Sequence, residues 1–266
     1  MTALAEGFRR HLGWPLLLLW LCGCSTLVPV PAGVPVAADE AGATAAQAAW
    51  ARVLQRFVND RGEVDFQALS TDRGDLELML RYIAETPIQS LPAGPVRTAH
   101  EINAYNALSM FNIVDSGIPE AHVGLHKLRF FVLRRFNIGG RPMSLYGFEN
   151  DVIRPEARLR NDPRIHFALN CSARSCPALP RTPFTADRLN AQLDRETRAF
   201  FADPRNFRID SGARTVWLSE LLEFYPEDFV PDAAGSLLAY ANRYAPEPAP
   251  PEYAVMFTPY DWTVAN

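Results

Sequence analysis

The stretch from Val96 to Ser116 constrains the fold more than any other, because it reads as one long helix that is apolar on almost every side. A helix without a polar face cannot lie on a surface. The rest of the chain must cover it all round, which makes it the central element of a buried core. Gly117 and Pro119 end it, since glycine takes the left-handed turn after a helix and proline cannot continue one. Asn103, Tyr105 and Asn106 interrupt the apolar surface. Buried polar groups require partners, so these three either tie the helix to a neighbouring layer or form the wall of a pocket.

The segments around this helix supply its cover. Ala45 to Asn59, with Trp50, Val53, Leu54, Phe57 and Val58, and Asp75 to Glu85, with Leu76, Met79, Leu80 and Ile83, carry the three- and four-residue spacing of amphipathic helices. After Pro119 the pattern changes. Phe130 to Ile138 and Arg141 to Leu145 flank Gly139-Gly140, a two-residue hairpin signal, and Phe207 to Asp210 and Arg214 to Leu218 flank Ser211-Gly212 in the same way. The basic and aromatic run His126 to Phe136 reads as a strand with one solvated face, and His122 and His126 fall in a surface turn. Short helices are expected from Ser144 to Ile153, from a Thr185 cap to Phe201 and from a Ser219 cap to Tyr225. Ile165 to Asn170 and Tyr253 to Phe257 look like further strands. Helices first and hairpins later, without strand-helix alternation, predict an α+β fold in which a helical first half packs on an antiparallel sheet of hairpins.

The N-terminus predicts where the protein works. Arg9, Arg10 and His11 precede eleven mostly apolar residues, Leu12 to Cys22, too few to span a bilayer and the right length for a secretory signal. Leu21-Cys22-Gly23-Cys24 resembles a bacterial lipobox, which implies cleavage after Gly23 and a lipid on Cys24. Residues 1–23 are then the signal, 24–42, with prolines at 29, 31 and 35, an extended tether, and 43–266 a single globular domain. The location implied is the periplasm, anchored to the outer membrane. Removing Glu6, Arg9 and Arg10 takes acidic residues from 30 to 29 and basic ones from 26 to 24, a net charge of -5. That balance gives no footprint for nucleic acid.

Asp162 to Leu179, DPRIHFALNCSARSCPAL, concentrates His166, Asn170, Cys171 and Cys176 within eleven residues. The cysteine pair has four readings. In an oxidising compartment Cys171 and Cys176 can close a small loop as a disulfide. The four residues between them are not the two of a thioredoxin-type redox motif. A thiolate at Cys171 could be activated by His166, or a metal could be held by His166, Cys171 and Cys176 with help from His122 and His126. Neither a metal nor a cofactor is the expectation for the site. Asp261, after a strand-like segment, is the carboxylate expected to orient His166.

This run resembles the signature of the family called domain of unknown function 547. So do INAYNAL at 102–108, GGRPMSL at 139–145, FYPEDF at 224–229 and TPYDW at 258–262. Relatives commonly carry histidine after the glutamate of the helix following the hairpin, whereas here Glu149 precedes Asn150, and Tyr225-Pro226 replaces a tyrosine-glycine pair. The layout is also similar to that of papain and transglutaminase-like enzymes. That likeness implies His166 as base and Cys171 as the thiol, although the central helix itself offers no cysteine. The cost of burying Asn103, Asn106 and His166 without partners predicts that they meet Asp261 at one polar site, with Tyr105, Glu149 and Asn170 around it. Two functions stay open. One is a thiol hydrolase or acyl-transfer domain, active or degenerate; the other is a non-catalytic envelope protein that binds a peptide, glycan or protein partner.

Overall fold

Asp39 starts the first helix five residues before the sequence pattern does, because its side chain accepts the Gly42 N–H at 2.8 Å. The computed structural model describes residues 25–159, 161–230 and 234–266. A short strand β1 (Thr26–Leu27) leads to α1 (Glu40–Phe57), α2 (Phe66–Thr71) and α3 (Gly74–Glu85). The central helix α4 runs Pro95–Asp115 and is buried at Thr98 and Ala99 and throughout Glu101 to Val114, as its composition requires. Its end is a Schellman motif: Gly117 N–H meets the Val114 carbonyl and Ile118 N–H the Ile113 carbonyl, with φ of 80° and 53°. No helix of the described residues is long and apolar enough to cross a membrane.

The run expected as a strand from Phe130 is helical at first. After α5 (Gly124–Leu128) the chain makes a wide turn, Arg129–Leu133, and only then enters β2 (Arg134–Ile138). The hairpin to β3 (Arg141–Met143) is where the two glycines put it, with Gly139 and Gly140 at φ 58° and 80°. A Cβ on Gly139 would stand 2.6 Å from the Thr86 carbonyl, since the hairpin tip docks on the end of α3. Next come α6 (Leu145–Phe148), capped by Ser144, a second wide turn, Glu149–Ile153, and α7 (Arg154–Leu159). Ile165 to Asn170 is not a strand: Asp162 and Pro163 open a tight helical turn, Pro163–Phe167. A short buried apolar run does not distinguish the two. Then follow α8 (Leu189–Ala202), β4 (Phe207–Asp210), β5 (Thr215–Ser219), α9 (Leu221–Phe224), α10 (Pro226–Phe229), α11 (Leu237–Ala241) and β6 (Ala254–Thr258).

The class is α+β, but the sheet is not one antiparallel array. Among the described residues there are two three-stranded sheets, β1-β2-β3 and β4-β5-β6, and each extends an antiparallel hairpin with one parallel strand. Parallel partners come from far along the chain and leave no local turn signal. The N-terminal parallel strand also corrects the expected tether. Thr26 and Leu27 pair with Arg134 and Arg135, Val28 is buried, and its N–H bonds the Arg135 carbonyl at 2.7 Å. Residues 26–28 are therefore fixed to β2.

Candidate functional site

The site begins with Asn106, whose side chain reaches out of α4 and holds two backbone groups of the segment after His166. Its Nδ2 donates to the Ala168 carbonyl at 2.9 Å, and its Oδ1 accepts the Asn170 N–H at 2.8 Å. Asn170 repeats the device on the next loop, donating to the Pro177 carbonyl and accepting the Ser172 N–H, both at 2.7 Å. With Ser172 at φ 65°, this folds residues 171–176 back on themselves. The structure holds both cysteines as free thiols. Alanine at 106 would leave two buried backbone groups without partners, and a loss of roughly 1–3 kcal/mol in urea unfolding is expected. A change under 0.5 kcal/mol would mean the loop is held elsewhere.

The two sulfurs are not equivalent. The Cys176 sulfur accepts the Cys171 N–H at 3.0 Å and the Tyr260 hydroxyl at 3.1 Å, and it is half-buried. Cys171 is buried and lies 3.7 Å from the same hydroxyl. Burial raises the Cys176 thiol, but hydrogen bonds from Cys171, Tyr260 and the backbone outweigh it and hold the group below the usual thiol range. The hydrogen bond to Cys176, followed by burial, pushes Cys171 well above that range. Cys176 is thus the sulfur that receives both close donors, and a negative charge is better supported there than on Cys171. The C-terminal segment brings Tyr260 there, threading between Glu120–His122 and the cysteine loop through bonds such as His122 N–H to the Trp262 carbonyl and Arg174 N–H to the Thr263 carbonyl.

His166 lies in the same cleft, which has a volume of about 60 Å³ and is walled by Tyr225, Phe224, Tyr260 and Trp262. Its Nε2–H donates to Asp228 at 2.7 Å, and its ring stacks on Tyr225 at 4.5 Å. Arg154 donates to the same carboxylate oxygen at 2.8 Å, to Glu227 at 2.8 Å and to Asn150. Asn150 therefore helps fix a buried arginine. Glu149 accepts the hydroxyls of Tyr105 and Tyr225, each at 2.9 Å. Burial and the Glu149 charge push both phenols above their ordinary range. Lys127, the one lysine in the sequence, stands 3.2 Å from the Trp262 ring, and burial lowers its pKa.

His166, Cys171, Tyr105, Glu149, Asn106 and Asn170 thus meet around one cleft or the loop that floors it. Two expected members do not. Asn103 accepts Trp50 Nε1–H at 3.2 Å and Phe184 N–H at 3.0 Å and donates to the Phe184 carbonyl, fastening α4 to α1 and residue 184 rather than to His166. Asp261 is exposed and accepts the Thr263 N–H, while its own N–H meets Ser175 Oγ. It steadies the cysteine loop, and the carboxylate on His166 is Asp228. His122 is not in a surface turn either: it is buried, and its Nε2–H donates to the Cys171 carbonyl at 2.9 Å. Tyr225 and Asp228 lie inside FYPEDF and Tyr260 inside TPYDW, so those motifs were the available signal. Arg154 left none.

No curated protein and no solved structure matches the chain. Residues 90–201, which take in α4, His166, both cysteines and all but the last residue of α8, match the family described as protein of unknown function, DUF547, which bears out over that span the resemblance carried by the motifs.

Proposed function

We propose that this chain is an envelope lipoprotein whose domain carries out thiol–disulfide exchange, with Cys176 as the attacking sulfur and Cys171 as the resolving one. The observation that carries this reading is the asymmetry of the pair. The sulfur of the half-buried Cys176 receives the Cys171 N–H and the Tyr260 O–H, while Cys171 beside it is buried. Exchange requires that division, since the attacking thiolate must be reachable and stabilised and the second thiol must stand within reach of the first. Cys176 thiolate attacks one sulfur of a substrate disulfide and expels the other as a thiolate. Cys171 then gives its proton to the expelled substrate thiolate and attacks Cys176, releasing the second substrate thiolate and leaving a Cys171–Cys176 disulfide. A dithiol donor in the envelope would return the pair to the reduced form. A cleft of about 60 Å³ holds a few waters at most, so a substrate presents its disulfide at the mouth rather than being enclosed.

A second reading has its own support. His166 and Asp228 form a base and orienting carboxylate beside the same cleft, which suits acyl transfer through a Cys176 thioester. No hydrogen bond joins His166 to either sulfur among the described residues, which favours exchange. The membrane is the expected partner through a lipid on Cys24, a residue outside those described. The alternative of a non-catalytic binding domain requires neither thiol to react.

An aryl disulfide such as 5,5′-dithiobis(2-nitrobenzoate) tests these readings. The wild-type protein should release two aryl thiols and retain no adduct, and Cys171→Ser should release one and retain one. Cys176→Ser should react about 100-fold more slowly. Tyr260→Phe should move the midpoint of the Cys176 pH–rate profile upward, because a donor to the thiolate is lost. Turnover of a thioester substrate without disulfide exchange would favour the acyl reading. Faster labelling of Cys171 than Cys176 would sink both.

A further inference from the structure

The geometry points to a second surface, a face for the membrane formed by the outer side of the helical segment 124–133 together with β1, which docks on a bilayer bearing anionic phospholipid. This rests on the lipid at Cys24 proposed above. One residue, Ser25, separates that cysteine from β1, so the Cα of Thr26 can lie no more than about 7 Å from the Cα of the lipid-bearing cysteine. Because residues 26–28 are fixed to β2, the domain cannot hang free on a tether. Some face near β1 must then rest on the bilayer.

The side chains at that place are suited to it. Leu125, Leu128 and Val132 follow three- and four-residue spacing and are 63%, 46% and 40% exposed, while Leu27 on β1 is 58% exposed. A stripe of large apolar side chains turned to solvent marks an interaction face. Its surroundings are cationic: Arg129 and Arg135 are exposed, and neither enters an ion pair among the described residues. Apolar groups with arginines beside them match the boundary between acyl chains and anionic headgroups.

The same helix explains why the face matters. Lys127 and Phe131, four residues apart, turn the other way and pack on Trp262 at the wall of the thiol cleft. The bilayer and the cleft therefore lie on opposite sides of one helix, a separation of roughly 10–12 Å. Substrate disulfides would be met close to the membrane surface.

The test uses acylated protein reconstituted into vesicles of phosphatidylethanolamine and phosphatidylglycerol. Its reference is the unacylated chain from Ser25, which holds every buried core residue among those described. Hydrogen exchange at 123–133 should be about fivefold slower on vesicles, with β6 unchanged. Leu125→Ser combined with Leu128→Ser should remove that protection without lowering Tm, because both side chains are exposed. Fatty-acid labelling of cells should need Cys24 and fail in Cys24→Ala. Labelling that persists in that variant overturns the lipid anchor and the docking face together. Labelling that needs Cys24, with exchange at 123–133 as fast as in solution, overturns the docking face alone.

Discussion

Alanine in place of Asp228 is expected to cost the fold about 3–5 kcal/mol, the usual result of removing one partner from a buried ion pair. Arg154 is the reason. Its side chain is 9% exposed and touches Asp228, 4% exposed, while its other carboxylate, Glu227, is 55% exposed and screened by water. Without Asp228 the guanidinium stays buried over the Tyr225 ring, 4.3 Å away, with too little negative charge beside it. His166 loses its acceptor in the same change. Urea unfolding should show the loss as a lower midpoint with an unchanged slope. Replacing Arg154 by methionine and Asp228 by leucine together should recover much of the stability, because no buried charge is then stranded. A single Asp228→Ala variant within 1 kcal/mol of the parent would mean that Arg154 finds another partner, and that the cluster is not what fixes this wall of the cleft.

Whether His166 has a chemical role separates from this structural one. His166→Ala leaves the Arg154–Asp228 pair intact. Its effect on Cys176 reactivity can therefore be read against a smaller stability change than that of Asp228→Ala.

What the sequence revealed follows from the range of each signal. α4 was legible because a helix without a polar face has one solution, and the β2–β3 turn because two adjacent glycines allow positive φ at both positions. Asp39 carries the usual cap signal before Glu40 and the alanine-rich run, but the apolar spacing begins only five residues later. The parallel strands β1 and β6, by contrast, gain their partners from over thirty residues away, and β1 lies in a proline-rich segment that resists sheet formation elsewhere. The carboxylate of His166 shows the same limit. Asp228 and Asp261 both sit in aromatic motifs near the C-terminus, and only the path of the chain after β6 decides that Asp261 turns outward while α10 carries Asp228 inward. The choice between the two sulfurs likewise depends on Tyr260, more than eighty residues beyond them.

Mild acid should destabilise the protein well before its carboxylates titrate, because two histidines are held neutral by their surroundings. Burial lowers His100 to about 4, and its Nε2 has no hydrogen-bond partner among the described residues. Burial likewise lowers His122 to about 4; its bond to the Cys171 carbonyl favours the proton, while Lys127 and His126 oppose it. In the unfolded chain each returns to about 6.5. Between those values the unfolded state binds protons that the folded state does not, so stability falls as pH falls from about 6.5 to 4 and levels off below. Each histidine can remove roughly 3 kcal/mol across that window, a large share of a typical total of about 5–15 kcal/mol. Urea unfolding at steps from pH 7.5 to 4.5 should show a flat region followed by a steep decline. In His122→Phe, where an aromatic ring still packs against Phe130, the decline should be about half as steep although the carbonyl of Cys171 loses its donor. A parent protein equally stable at pH 6.5 and 4.5 would show that these imidazoles reach water, and that the C-terminal segment does not seal the back of the cysteine loop.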